Sequence, residues 1–481
     1  MIAADVLVDP NSISEFSHHI SERPSQSRVI RSLVGLQNAL TPSGASHLGT
    51  TRLTGGIDMN TLRQLRNFWI LGVATMVLTC FSTAVAQASY KVQDLGVQNP
   101  DNLGMAMGLN NHGWTLNMEQ LLDPFSISLS AHLVQGTDSI SIGELKLELG
   151  TLGGPNSSIN WNGINDPGEA VGMSETSVPD PNGEDVCGFG THLTCLPFLW
   201  QNGLMSALPT VGGNNGQASA INNRGQIVGI SETTDSDPGC TAGKPGKVIS
   251  PVLWEKGEAR PLPTLVGDQD GFVQGINNRG QAVGSSGTCT NISMHAVLWE
   301  NDTAIQLKDL GQAGGAAYAI NDHGQIVGYV SSADGTTIVG AIWQNGEITS
   351  IPILPGDSAA FATGINNRGQ VVGSDFNSTG WSHGFISQDG VLTDLNTLIP
   401  GDSNLFIIAA SNINERGQIS GMATVVTGPN AGNIHAILLT PRDGRIGESM
   451  ADFARTHPDS NLHPNVCGHH LQRFGLGQLQ R

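Results

Sequence analysis

Positive charge is scarce in this chain. Its 481 residues hold 22 Lys and Arg against 41 Asp and Glu, a formal net charge of −19. Nucleic acid and anionic membrane surfaces both require a cationic footprint, so neither is an expected partner. The acid excess has a simpler meaning, which is solubility. Aromatic residues are also few, at 5%, which leaves little material for the stacking platforms used in carbohydrate recognition. Six cysteines are present, but no Cys-x-x-Cys spacing occurs, which argues against a structural zinc site. Gly-x-Ser-x-Gly, phosphate-loop and His-Glu-x-x-His patterns are all missing, so three common routes to hydrolysis or nucleotide binding lack their signatures. Asp268-Gln269-Asp270-Gly271 opens in the manner of a calcium loop but lacks the downstream bidentate Glu. No cofactor and no metal is therefore expected.

Long apolar runs are rare too. One stands out, Phe68 to Phe81, with Arg63 and Arg66 before it and Ala84-Val85-Ala86 after it. That is the order of a secretory signal, with cleavage near Ala86 or Ala88. Residues 59–88 thus read as a signal peptide starting at Met59, and the aperiodic residues 1–58 as a disordered or mis-assigned leader. An uncleaved anchor is the rival reading and the one route to a membrane. The mature chain is expected to be secreted, periplasmic or on the cell surface. From Arg442 the β pattern stops, and residues 442–481 read as a disordered tail. Cys467, His469 and His470 in that tail have no further spaced ligands to complete a metal site.

What the chain has in abundance is glycine, 62 residues, and much of it is periodic. Ala220-Ile221-Asn222-Asn223-Arg224-Gly225-Gln226-Ile227-Val228-Gly229 predicts a β-hairpin: strand formers flank an Asn-Asn-Arg-Gly turn whose Gly supplies positive φ. Close copies run from Ile276 to Gly284, Ile320 to Gly328, Ile365 to Gly373 and Ile413 to Gly421. Looser ones begin at Leu109 and Ile164. The turn glycines Gly113, Gly168, Gly225, Gly280, Gly324, Gly369 and Gly417 are separated by 55, 57, 55, 44, 45 and 48 residues. Such a period belongs to repeat arrays, about 40 to 50 residues being typical of four-stranded propeller blades.

Two more strands recur between hairpins. The third carries Trp200, Trp254, Trp299 and Trp343 at one register, where large residues suit the contact between adjacent sheets. A short turn and a fourth strand follow, as in Ala304 to Leu310. The residue before the hairpin Ile is small (Gly108, Gly163, Ala220, Gly275, Ala319, Gly364), as expected where backbones crowd. Lys91-Val92-Gln93-Asp94-Leu95-Gly96 matches a fourth strand, whereas His435 to Pro441 matches a third. The phase predicts that the first strand completes the last sheet. A ring needs that strand, whereas a linear solenoid needs polar caps. The expected fold is all-β: a seven-bladed β-propeller of four-stranded blades over residues 90–441, its last blade closed by the N-terminal strand. The first blade, roughly Gly104 to Gly154, is degenerate.

Ile-Asn-Asn-Arg-Gly-Gln-Ile-Val-Gly, with His-Ala-Val-Leu-Trp at residues 295–299 and Thr-Leu-Gly-Gly at residues 151–154, resembles the HAF-type extracellular repeat family of bacteria over about Tyr90 to Pro441. The resemblance implies a secreted or surface propeller-like protein and carries no catalytic residues with it.

In a four-stranded blade, the first-to-second and third-to-fourth turns open on one face, and the second-to-third connections and blade linkers on the other. The former are uniformly short. The latter are long at Ser174 to Leu196, Ser231 to Ser250 and Ser285 to Met294, and clustered insertions mark where repeat proteins meet partners. In an exported protein the loop cysteines predict disulfides Cys187–Cys195 and Cys240–Cys289, the second from the adjacency of equivalent loops. Arg224, Arg279, Arg368 and Arg416, with His112 and His323 at the same turn position, are candidates for an anion-holding ring, or are solvated turn residues. The expected function is non-catalytic binding of an extracellular protein or glycan by a secreted monomer. The alternative is a polysaccharide lyase or hydrolase with carboxylates at the channel mouth, and Asp166, Asp322 and Glu415 read instead as turn variants on the short-turn face.

Overall fold

A repeated side-chain-capped turn sets the architecture. Asn222 N–H donates to Gln226 O at 3.0 Å, and Gly225 N–H donates to Asn222 O at 3.1 Å. Asn222 Oδ1 accepts from both Arg224 N and Gln226 N at 3.0 Å. Gly225 sits at φ +74°, a left-handed conformation that glycine adopts without a Cβ clash. The same backbone bonds close the turns at Asn110, Asn165, Asn277, Asn321, Asn366 and Asn414.

The computed structural model describes residues 90–97, 103–122, 133–143, 145–237, 246–288, 294–311, 314–334, 336–377 and 382–442. The leader, the signal segment, Cys240, Cys289, Cys467 and the tail from residue 443 lie outside the described residues. The first strand is β1 (Tyr90–Gly96). A first set follows: β2 (Leu103–Leu109), β3 (Thr115–Leu122), β4 (Leu133–Ile142) and β5 (Leu145–Glu148). Next come β6 (Gly153–Ile164), β7 (Ala170–Pro179), β8 (Leu193–Gln201) and β9 (Leu204–Ala207). The third set is β10 (Gly216–Ile221), β11 (Ile227–Asp237), β12 (Gly246–Glu255) and β13 (Glu258–Pro261). The fourth is β14 (Asp270–Ile276), β15 (Ala282–Gly287), β16 (His295–Glu300) and β17 (Thr303–Gln306). The fifth is β18 (Gly315–Ile320), β19 (Ile326–Ser331), β20 (Ile338–Gln344) and β21 (Glu347–Ser350). The sixth is β22 (Ala359–Ile365), β23 (Val371–Phe376), β24 (Ser382–Gln388) and β25 (Val391–Asp394), and the last is β26 (Leu405–Ile413), β27 (Ile419–Val425) and β28 (Ile434–Pro441). Among the described residues the only helical element is a 3-10 turn, Leu395–Thr397.

The protein is all-β, and each set is an antiparallel meander. The second and third sets join through one parallel bridge, Ala220 to Asn162. The last three strands gain a fourth from the other end of the described chain: β1 lies antiparallel on β28, with Val92 opposite Leu439 and Asp94 opposite Ile437.

The core lies between successive sheets. Val171 packs with Ala218, Ile227 and Trp254, Val283 with Ala317, Ile326 and Trp343, and Val372 with Ile407, Ile437 and Tyr90. The third-strand tryptophans are buried, and three of them clamp the linker that precedes their own set. The indole N–H groups of Trp254, Trp299 and Trp343 each donate at 2.7 Å, to the carbonyls of Pro209, Pro263 and Lys308. The small residue before the hairpin Ile is explained by neighbouring first strands. A Cβ on Gly275 would lie 2.8 Å from the Tyr318 carbonyl, and one on Gly364 3.0 Å from Asn412 Cα.

One expectation needs correcting. Much of Ser174 to Leu196 and Ser231 to Ser250 is strand rather than loop. β7 and β8 pair at Ser174–Leu196 and Glu175–Cys195 and, past a bulge, again at Pro179–Leu193; β11 and β12 pair at Ser231–Ser250 and Glu232–Ile249 and, past a bulge, again at Ser236–Lys247 and Asp237–Gly246. Ser174 and Ser231 stand in these ladders, whose pairing satisfies the backbone across each hairpin.

Candidate functional site

The capped turns gather at one end of the sheets and do more than reverse the chain. The side-chain N–H of Asn110 donates to the carbonyl of Asn165, Asn165 to Asn222, Asn222 to Asn277, and Asn277 to Asn321. Asn321 continues to Asn366, Asn366 to Asn414, and Asn414 returns to Asn110, all at 2.9–3.1 Å. Each of these amides is buried. In Asn222 the second Nδ2 hydrogen goes to Gln226 Oε1 at 2.9 Å, so both donors and the Oδ1 acceptor are satisfied.

The next turn position makes a second series. The backbone N–H of Asn111 donates to Asp166 Oδ1, Asp166 to Asn223 Oδ1, Asn223 to Asn278 Oδ1 and Asn278 to Asp322 Oδ1, at 2.8–2.9 Å. Asp322 then donates to Asn367 Oδ1, Asn367 to Glu415 Oε1, and Glu415 to Asn111 Oδ1. Every member presents an acceptor oxygen. Each carboxylate follows one asparagine and precedes another, so no two acids are consecutive. Asp166 Oδ2 takes amide hydrogens from both neighbours, Asn111 at 3.0 Å and Asn223 at 2.7 Å.

The arginines at the third turn position reach along the series of turns. Arg224, Arg279 and Arg368 are exposed and Arg416 is half-buried. A Cβ on Gly280 would lie 2.8 Å from Arg224 Nη2, one on Gly324 2.9 Å from Arg279 Nη2, and one on Gly417 2.9 Å from Arg368 Nη2. Each guanidinium thus runs sideways onto the following turn.

The other end carries the long hairpins and the linkers. Cys187 and Cys195 form a disulfide with Cα atoms 5.6 Å apart, packed with the buried Phe189. Below this tip, Asn215 ties the second set to the third. Its Nδ2 donates to Asp180 Oδ2 at 2.9 Å and Glu232 Oε2 at 3.0 Å, and its Oδ1 accepts Cys195 N–H at 2.8 Å. Burial pushes the Glu232 carboxyl up to about 7, with Glu184 adding repulsion and the Asn215 bonds opposing. Asp138 is likewise raised to about 7 by burial.

The third-strand histidines pair with linker or edge-strand acids. His383 Nδ1 lies 2.8 Å from Asp357 Oδ2, His435 Nδ1 2.9 Å from Asp94 Oδ1, and His295 Nδ1 3.4 Å from Asp268 Oδ2. Asp270 Oδ1 accepts Ile249 N–H at 2.7 Å, whereas Asp268 Oδ2 and His295 Nδ1 are buried without a hydrogen bond among the described residues. Among the described residues, no group of three or more His, Cys, Asp or Glu is arranged to hold a metal ion.

Two features left no trace in the sequence pattern. Residues 160–163 bulge from β6 between Ile159 and Ile164, and Asn162 reaches other first strands. Its Nδ2 donates to Gln274 O at 3.1 Å and Tyr318 O at 2.9 Å, while Asn412 Nδ2 donates to Trp161 O at 2.7 Å. The Trp161 ring also begins a run of aromatic contacts through Tyr318, Tyr329, Phe361 and Phe376, with centroids 5.1–5.6 Å apart.

No family model and no curated protein matches the chain. Among solved structures, an inactive virginiamycin B lyase from Staphylococcus aureus is 10% identical, with a TM-score of 0.42, over 73% of this chain and 99% of that one. The β-propeller domain of the trilobed protease from Pyrococcus furiosus is 10% identical, with a TM-score of 0.38, over 71% of this chain and 94% of that one. A gluconolactonase from Xanthomonas campestris is 11% identical, with a TM-score of 0.32, over 75% of this chain and 93% of that one.

Proposed function

We propose that the chain is an exported, non-catalytic β-propeller of seven four-stranded blades, closed by β1 on β28, that binds an extracellular protein or glycan through its long-hairpin end. Closure is supported by the Asn414-to-Asn110 bond, which brings the series of turn amides back to its start, and by the six-residue register of β1 on β28. The binding reading rests chiefly on one observation: beyond a register break, the β7–β8 hairpin pairs again at Pro179–Leu193 and the β11–β12 hairpin at Ser236–Lys247 and Asp237–Gly246, where the later β15–β16 and β19–β20 ladders have already ended. The first is pinned by a disulfide. Rigid projections that lose little entropy on docking are what a recognition surface requires.

The test is glycan- and protein-array screening of residues 87–441. A hit should disappear when residues 176–194 are replaced by a short turn and should persist when Arg279→Ala alters the opposite end. A hit that survives the hairpin replacement and is lost with Arg279→Ala would overturn this assignment of faces.

A further inference from the structure

Five aromatic residues meet in one place, and most of them break the periodicity of the repeat. Tyr318 stands where three other hairpins have Ser219, Gln274 and Thr363, Tyr329 where they have Ile230, Ser285 and Ser374, and Phe376 where Glu232, Gly287 and Ser331 occur. Trp161 comes from the aperiodic bulge of β6, and Phe361 from β22. The rings follow one another with centroids 5.1–5.6 Å apart and interplanar angles of 47–87°, so they meet tilted or edge-on and none is stacked flat on the next. The core does not require them. Val327, Ile351, Ala362, Val371 and Phe385 pack the space between the fifth and sixth sets without any of these rings. Tyr318 is buried, but Trp161, Tyr329, Phe361 and Phe376 are only half-buried. The run ends at Phe376, the last residue of β23, where the chain turns toward β24 at the linker end.

The charge around the run has one sign. Residues 309–402, which span the fifth and sixth sets, hold nine Asp and Glu against a single Lys or Arg. That one, Arg368, sits on a capped turn at the opposite end, and His383 is already paired with Asp357. Asp334, at the tip between β19 and β20, is exposed. Its Oδ1 accepts from Ser332 Oγ and from the N–H and hydroxyl of Thr336, bonds that hold the carboxyl down at about 2. The neighbouring Thr337 hydroxyl donates to the Ser358 carbonyl, and Ser358 N–H donates to the Phe376 carbonyl at 2.7 Å. A standing negative charge is thereby tied to the strand that carries the last ring.

We propose that this aromatic run is a docking surface for a cationic peptide segment, whose arginine or lysine side chains lie against the rings of Tyr329, Phe361 and Phe376 within the field of Asp334 and Asp357. The ring faces attract a cation through their quadrupoles, and a surface of one sign draws such a segment in from solution. A neutral sugar would use the rings but gain nothing from the charge. The surface belongs to the fifth and sixth sets and does not rest on the hairpins of the second and third.

Calorimetric titration of the full chain with hexa-arginine tests this. Saturable binding is expected at physiological salt. Phe376→Leu, which keeps apolar bulk, should weaken it about two- to fivefold, the size of one exposed cation–π contact. Asp334→Asn should weaken it at low salt and less at high salt, where the charge is screened. Asp334 is exposed, so this variant carries the test should Phe376→Leu fail to fold. Glu258→Gln, on the edge strand of the third set, should leave binding unchanged. An equal loss in Glu258→Gln and Asp334→Asn would mean attraction to overall charge and overturns the proposal. So does an absence of saturable binding, or an unchanged affinity in a folded Phe376→Leu protein. Binding of neutral maltohexaose in place of hexa-arginine, or self-association of the chain that Phe376→Leu abolishes, would assign the surface to another occupant and overturns it as well.

Discussion

Asn414 donates from Nδ2 to the carbonyl of Asn110, 2.9 Å away and 304 residues earlier in the chain. The same atom donates to Gln418 Oε1 at 2.9 Å. One amide therefore fastens both its own turn and the junction between the last set and the first.

Removing such an amide strands several buried groups at once. Asn222→Ala leaves the N–H groups of Arg224 and Gln226 and the carbonyl of Asn277 without their partner. At about 1 to 3 kcal/mol for each unsatisfied buried group, a loss on the order of 3 kcal/mol or more is expected by urea denaturation. Asn222→Ala combined with Asn277→Ala should cost less than the two separate losses together, because the single changes already break a shared network. Simple additivity would count against a coupled series.

The spacing of acids in the second series gives another prediction. Asn367 lies between Asp322 and Glu415 and accepts from Asp322 N–H at 2.8 Å. Asn367→Asp keeps that acceptor but places three carboxylates in succession. The melting temperature should fall at pH 8 and recover toward that of the parent at pH 4. Asn223→Ser, which adds no charge, should show no such recovery.

Overall stability should decline as pH rises. Asp138, Glu232 and Asp375 are each raised to about 7 in the folded protein, whereas unfolded carboxyls titrate near 4. Between those values the folded state binds more protons, so their favourable contribution is complete below about pH 4 and is lost as pH passes 7. Each proton contributes at most about 1.4 kcal/mol per pH unit. The urea midpoint should be higher at pH 5 than at pH 8, and Asp138→Asn should flatten the difference. A midpoint that rises over this interval would contradict the burial argument.

Cys187 and Cys195 are 8 residues apart, and a loop of that size restricts the unfolded chain by about 2.5 kcal/mol. Cys187→Ser with Cys195→Ser should speed hydrogen exchange in residues 180–192 and leave the amides of the Asn222 turn unchanged. Global acceleration would mean that the tip is part of the main cooperative unit.

Omitting β1 uncovers the backbone edge of β28 and removes Asp94 from His435. A chain beginning at residue 103 should melt lower and self-associate in light scattering, since an unpaired strand edge templates intermolecular pairing. If it remains monomeric and equally stable, β1 is not needed to complete the last sheet.

The hairpins and the third-strand tryptophans were legible because their cause is local. Asn and Gly fix a turn within five residues, and Trp repeats at one register. The bonds between turns were not, because Asn222 meets Asn277 only after the sheets have stacked. Asp166, Asp322 and Glu415 looked like turn variants for the same reason, although the restriction of that position to Asn, Asp and Glu was the available signal. The Cys187–Cys195 pairing followed from proximity in sequence, whereas Trp161 and Asn162 match no periodic position and gave no warning. Asp375 was hidden differently: its register was visible beside Ser174, Ser231 and Ser286, but only the fold puts Asp357 and Asp394 around it.

The crossing made by Asn162 has a consequence for how the protein comes apart. Linear arrays of repeats fray from their termini, since each unit leans only on its neighbours. Here one amide stitches β6 to β14 and β18, and a second, on β26, is tied back to β6. Repeats distant in sequence therefore share a fastening, and melting should be all-or-none, without partly dissolved species.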